Sequence, residues 1–574
     1  MANEKVVYTS VPEKEKDEKE DGESPKGIGV RHIQAVLLFI SLSVAISMRA
    51  QLSVSMVAMT SKSVRNGLHH DFNNGFTDLI RVTLASRKSI QIVTNSALLQ
   101  TYKWTKPTQE MIMFSFFVGY TTMNLPMGVI GQKFGGKLPI MIAMGTNGFL
   151  SIMTPWLPIF GGWLAVCVCR LLQGATQAAL YPSIHAMLGK WTPLNERGRL
   201  STYIYAGSPF GTIVGFQVAG LLAGSTTFGW PWSFWMCGVA SLLCSVLVWW
   251  LCAATPHDHP KISPEELTYI TGNGSADIVP KKRRTPWKQI LTSRLVWCLV
   301  MSHAGSAIGY LFMLTQTPTY MSKILGVNIK NSGLYSSLPY ISMYFMTLLF
   351  GYLADLFANK KIMSVTNIRR TANTIGMVVS GGFLLIFCYS NNTTTAVIML
   401  IVGLGLHSGV HVGFVINYID LAPNFAGPLM GIGNTIGSLS SLIIPVLVSN
   451  IVKDDMTNQF KWQIVFIIVM GIQALTNFVY VVFAKCTVQP WNFYGDVEGK
   501  HFVMVMIVKF HRELIISNRL MKKKCSNKPM HQHIYASGHY KKLIDSSYRT
   551  TLEWDEITPF LFCFQKPKKR TPKL

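Results

Sequence analysis

Acidic side chains are scarce in this chain, and its long apolar runs contain none beyond Glu110 at the edge of one. Asp and Glu number 27 against 52 Lys and Arg, giving a net charge of +25 over 574 residues. Charged residues of both signs make up 14% of the sequence, hydrophobic ones 49%, and the mean hydropathy is +0.30. So apolar a composition excludes an ordinary soluble domain and points to a polytopic helical membrane protein. It also excludes a β-barrel, whose strands read as short alternating segments, whereas these runs are continuous and of helical length. The ten cysteines contain no C-x-x-C pair and fall mostly in apolar runs, as Cys167, Cys169, Cys237, Cys244 and Cys252 do. That pattern argues against a metal centre or a disulfide framework and for small buried hydrophobes. No cofactor is expected, and no nucleophile–base or metal cluster marks an enzyme.

A basic excess of this size suits nucleic acid, but its placement does not. The Lys and Arg residues lie in short loops between apolar runs and in the last 74 residues, which hold 15 of them against five acids. Loops such as KKRR at 281–284 follow the positive-inside rule. The expected partners are therefore membrane lipid and a small ligand, with no nucleic acid; the sequence is silent on oligomeric state.

What is present is a series of apolar runs near 33–59, 110–131, 138–158, 160–182, 201–224 and 231–253. A polar break follows, and six more fall near 295–318, 332–354, 372–390, 395–418, 426–452 and 462–484. Each approaches or exceeds the roughly 20 residues that span a bilayer. The expected fold is all-α, with 12 transmembrane helices in two six-helix bundles. Residues 1–30 (with EKEKDEKEDGESPK) read as a disordered cytosolic tail without a signal peptide. The bundles are expected at 31–254, with an outward loop at 60–109, and at 295–490, joined by a cytosolic linker at 255–294. A basic cytosolic tail follows at 491–574. The membrane itself, plasma or intracellular (lysosomal or vesicular), is left open. Asn391 and Asn392 each begin an N-x-T sequon in a short outward loop and are candidate glycosylation sites, whereas Asn273 sits in the cytosolic linker.

One charge breaks the pattern. Arg49 lies near the middle of residues 33–61, a stretch with no other charged side chain. An arginine at that depth costs about 2.5–3.5 kcal/mol on insertion scales. The other spans offer no acid to balance it; they offer a second cation, Arg170. Two buried positive charges without a buried negative one call for an anionic ligand. The alternative is that helix carbonyls pin each arginine as scaffolding.

The turn after span two reads GVIGQKFGGK (128–137), and that after span eight GYLADLFANKK (351–361). Gly128, Lys133 and Gly135 in the first copy, and Gly351 and Asp355 in the second, place small and charged residues at the same point of each half. Either copy alone is a tight turn with positive-inside lysines, but the shared register marks an internal repeat. The pattern resembles the loop signature G-x-x-x-D-x-x-G-[RK] of the major facilitator superfamily, with Gln132 at the acidic position of the first copy. The resemblance implies two bundles around a central cavity that opens alternately to each side.

Further stretches narrow the match. They are RAQLSVSMVAM (49–59), SFFVGY (115–120), RLLQGATQAALYP (170–182), KWTPLNERGRL (190–200), LTQTPTYM (314–321), SSLPY (336–340), NYIDLAPNFAGPLMGIGNTIG (417–437) and VQPWN (488–492). Together they resemble the anion–cation symporter family of sodium–phosphate cotransporters, sialin and vesicular glutamate transporters, and within it the insect-type inorganic phosphate cotransporters. The resemblance implies secondary active transport of a small anion, inorganic phosphate or an organic anion, with Arg49 and Arg170 contacting it. It places Gln177 where glutamate-type and sialin-type members carry an acid, and Met113 where vesicular members carry a histidine. Proton coupling then lacks a carboxylate, leaving His185, His303, His407 and His411, although a lone histidine in a helix is more often a hydrogen-bonded structural residue.

Sodium coupling needs only oxygen ligands, so Na+ is the expected coupling ion. Asn417, Ser408 and Asn434, with His303, are candidate cation-coupling residues beside Gly409 and Gly413 in glycine-rich spans that can unwind. Helix packing by small residues is the preferred reading for most of these glycines. Asp420, opening D-L-A-P, is expected to cap span eleven. Proton-coupled or facilitative transport, or a non-transporting sensor, are the alternatives. Residues 501–574 and 76–100 depart from the family pattern; intron read-through near Gly499 and a lipid-touching basic tail are the two readings of the former.

Overall fold

The computed structural model describes residues 27–60, 101–223, 229–272, 284–326, 329–452 and 457–493. The chain divides into two compact units, Met1–Asp496 and Val497–Leu574. The second unit, the outer-loop insert at 76–100 and Asn273 all lie outside the described residues.

Apolar runs become helices because helical backbone satisfies its own polar groups without water. Among the described residues twelve such passes follow one another and no strand occurs. They are α1 (Val30–Thr60), α2 (Lys106–Phe134), α3 (Lys137–Met153), α4 (Leu157–Trp191), α5 (Arg197–Tyr205, resuming as Gly207–Ala223), α6 (Trp230–Leu251), α7 (Arg294–Lys323), α8 (Ile329–Asn359), α9 (Val365–Tyr389), α10 (Thr393–Leu421), α11 (Pro423–Ile451) and α12 (Gln459–Phe483). Nine are long and apolar enough to cross a membrane by length and composition. The other three have visible reasons. Thr, Gly, Asn and Pro dilute α2, α3 has 17 residues, and α5 is interrupted at Ala206.

The two halves pair their helices in the same way. In the first, α1 packs on α5 and α6, α2 on α4, and α3 on α6. In the second, α7 packs on α11 and α12, α8 on α10, and α9 on α12. The equivalent helices α2 and α8 each carry an internal proline, Pro126 and Pro339. The halves meet along α2–α11 and α5–α8, again an equivalent pair. Large apolar side chains such as Phe160, Trp250, Phe478 and Leu475 stay exposed, as a lipid-facing surface requires.

The main hydrophobic core runs across both halves, from Leu38, Met187 and Tyr205 to Phe414, Tyr418 and Phe425. Two smaller cores each stay in one half, around Phe234 and around Phe312, Tyr320 and Phe466.

Several expectations need correction. Basic residues read as solvated loop charges belong to helices: Arg197 and Arg369 are buried and ion-paired. Asp420 does not cap α11. It sits inside α10, buried, and its two oxygens accept from Arg197 Nη1 and Arg369 Nε, each at 2.9 Å. The chain turns at Ala422 (φ −155°, ψ 87°), and Phe425 occupies the cap position of the helix that begins at Ala426.

Candidate functional site

The site begins with a ring. Phe116, on α2, is fully buried. The guanidinium carbon of Arg49 lies 4.8 Å from its centroid, and that of Arg170 lies 4.7 Å away. Two cations, from α1 and α4, thus approach one phenyl ring of α2. Tyr120, one helical turn beyond Phe116, brings a second ring to 4.6 Å from Arg49. Such a cation–π contact contributes about 2 kcal/mol where desolvated, as at buried Arg170, and less at half-buried Arg49.

Amides complete the shell. Arg49 Nη2 donates to Gln177 Oε1 at 3.3 Å, and Gln177 Nε2 donates to the Ala45 carbonyl at 3.3 Å. Arg170 Nη1 donates to Gln173 Oε1 at 2.8 Å. The Nε of each arginine is buried without a hydrogen-bond partner. Among the described residues neither arginine forms an ion pair with a carboxylate. Tyr310, on α7 of the other half, lies close enough to Arg49 to interact with its charge. Arg49, Arg170 and Gln177, picked from the sequence, therefore do converge. The partners that sequence reasoning missed are Phe116, Tyr120 and Gln173; only the four-residue spacing of the two rings signals a shared face.

The candidate cation residues converge less. His303 Nδ1 lies 3.4 Å from Tyr418 Oη, and Asn434 Nδ2 donates across the halves to Asn124 Oδ1 at 3.3 Å. Ser408 Oγ donates to the Gly405 carbonyl of its own helix at 2.6 Å. Asn417 Nδ2 donates to Tyr480 Oη at 3.0 Å, while its buried Oδ1 has no partner. Between Ser408 and Asn417, α10 opens into a π-turn at His411–Val415 with a non-helical Gly413 (ψ −114°). The unwinding expected of this span is thus present, whereas the 16-residue helix Ala426–Ser441 within α11 runs unbroken.

The other histidines are engaged in packing. His185 contacts the Tyr181 and Val415 carbonyls and Tyr205 Oη, and His407 Nδ1 reaches the Gly376 carbonyl at 3.0 Å. His411 packs 5.6 Å from Tyr205, with both ring nitrogens buried and unpartnered.

The repeated turns lie at one end of the half–half interface and use different chemistry. In the second copy Asp355 accepts from the backbone N–H of Gly198 (2.8 Å) and Arg199 (2.7 Å), holding the N-terminus of α5. Gly351 leaves room for Thr202. In the first copy Gln132 accepts from Thr285 Oγ1 at 2.6 Å instead. Gly128 supplies the contact with α11: a Cβ there would meet the Gly427 carbonyl oxygen at 2.8 Å. Gly135 ends α2 at φ 81°, which favours glycine, and Lys133 lies exposed beside Phe134. Of the two sequons, Asn392 caps α10 by accepting from Thr394 N at 2.9 Å, and Asn391 is exposed.

Two repeated six-helix halves, packed along α2–α11 and α5–α8 and holding one buried and one half-buried arginine without a carboxylate partner among the described residues, define a class: a helical transporter of the alternating-access kind. Residues 79–445 match the Major Facilitator Superfamily model. The chain is 31% identical over 467 residues to the "Putative inorganic phosphate cotransporter" of Drosophila ananassae, covering 81% of this chain and 94% of that protein. It is 30% identical over 470 residues to human sialin, covering 82% and 92%. Its fold matches a proton:xylose symporter with a TM-score of 0.54 at 14% identity, over 79% of this chain and 97% of that one. The chain belongs to the major facilitator superfamily.

Proposed function

We propose that the protein carries a small anion, inorganic phosphate or an organic anion, across its membrane with sodium as the coupling ion. The observation that carries this reading is the pair of guanidinium groups on Phe116, with no carboxylate partner among the described residues. Each keeps a buried N–H without an acceptor, and the planar fork suits carboxylate or phosphate oxygens. Relatives whose names specify phosphate cotransport or glutamate transport support the same class.

Sodium is favoured over protons by what surrounds the arginines: amides and aromatic rings, with Gln177 beside Arg49. Asn417 Oδ1 and the opened backbone around Gly413 supply oxygens of the type a sodium ion uses. A proton-coupled reading would rest on His411, whose ring nitrogens are unpartnered.

Uptake of labelled anions into proteoliposomes, with and without an inward sodium gradient, tests both levels. The reading expects accumulation that requires sodium. Accumulation driven by a pH gradient alone would replace sodium with the proton, and binding without accumulation would make the protein a sensor.

A further inference from the structure

Resting on the reading of Arg49 and Arg170 as the anion site, we infer that the site selects divalent over monovalent anions, taking phosphate as its dianion. The argument is a charge inventory taken element by element. Helix α1 contributes Arg49 and the Ala45 carbonyl. Helix α2 contributes Phe116 and Tyr120. Helix α4 contributes Arg170, Gln173, Gln177 and Cys169, and α7 contributes Tyr310, on which His407 stacks at 6.1 Å. Phenols and thiols are ordinarily neutral near pH 7, so among the described residues the groups around the two guanidinium ions supply no negative charge.

Gln177 is the deciding neighbour. It satisfies one Arg49 N–H through a neutral amide oxygen and leaves the charge of Arg49 whole. Gln173 does the same for Arg170, which is only 5% exposed. A monovalent anion bound between them would leave one positive charge uncompensated in a desolvated site, whereas a dianion neutralises both. The tetrahedral oxygens of such an anion also offer acceptors to both unpartnered Nε atoms.

The test uses the full chain in proteoliposomes with labelled phosphate and labelled sulfate, on either side of neutral pH. Sulfate stays divalent throughout, whereas the second ionisation of phosphate falls within this range. Phosphate uptake at fixed total concentration should rise about tenfold from the acidic to the alkaline side as its dianion forms, with sulfate uptake flat. On the acidic side, Gln177→Glu should lower the sulfate-to-phosphate uptake ratio about tenfold or more, a change of about 1.4 kcal/mol, and neutral Gln177→Met should keep it. The inference is overturned if phosphate uptake simply tracks sulfate, if it falls as pH rises, or if Gln177→Glu transports with the wild-type ratio. Uptake of both anions that survives Arg49→Ala would overturn the site itself. Uptake that is lost in Arg49→Ala, with a ratio unmoved by Gln177→Glu, would overturn only the valence.

Discussion

Asp420→Asn should shift the protein away from the state in which its halves are joined at the loop-motif end. Among the described residues the Asp420 carboxylate is the acid hydrogen-bonded to both Arg197 of α5 and Arg369 of α9, each bond being 2.9 Å. A hydrogen bond to a charged group contributes about 1.5–3 kcal/mol. The two bonds differ in what they report. Arg369 and Asp420 belong to the same half, so their bond persists whichever way the transporter opens. The Arg197 bond crosses the halves and exists only while this end is closed. The mutation therefore costs the closed state about 1.5–3 kcal/mol relative to the open one, roughly a 10- to 150-fold change in their ratio.

Asn359 Nδ2 donates to the Asn195 carbonyl across the same gap at 3.1 Å, which places a reporter pair at these positions. Spin labels on Asn195→Cys and Asn359→Cys, in a background with Cys486, Cys525 and Cys563 replaced by serine, should give one short distance in the parent. In Asp420→Asn a longer distance should dominate, and Arg197→Ala should reproduce the shift. An unchanged distance distribution in a folded Asp420→Asn protein would refute the reasoning.

Two further outcomes follow from local geometry. Gly128→Leu should abolish uptake while leaving expression intact, because its Cβ meets backbone of Gly427 and Pro428, which cannot rotate aside as a side chain would. Uptake within twofold of wild type would contradict this. If the chain is glycosylated, Thr393→Ala, which destroys the Asn391 sequon, should remove the endoglycosidase-sensitive mass shift. Thr394→Ala, which destroys only that of Asn392, should not, since the Asn392 side chain already caps α10.

Much of this was legible in the sequence because a bilayer makes charge conspicuous. Arg49 and Arg170 stand out among apolar residues, and the structure places them on one ring. The repeat in the two turns anticipated the equivalent helix pairings. Phe116 was not legible, since a phenylalanine in a membrane span reads as packing until its neighbours are known. Nor was the Arg197–Asp420–Arg369 triad, whose first two members are 223 residues apart. The D-L-A-P turn gave the wrong role to Asp420, because a local capping pattern cannot reveal two distant guanidinium groups. The two copies of the turn also proved unequal: Asp355 holds a helix terminus by charge, and Gly128 holds its helix by close approach. Of the two turn copies only the second carries an acid, so the charged contacts at this end gather on α5, through Asp355 of α8 and Asp420 of α10.

The central claim is that Arg49 and Arg170 together hold the anion. Equilibrium binding of labelled phosphate to the purified protein tests it most directly, comparing wild type with Arg49→Ala and Arg170→Ala at matched thermal stability. The account predicts that each substitution weakens binding by about tenfold or more, corresponding to loss of a charge-assisted hydrogen bond. Wild-type affinity in either folded variant would contradict it.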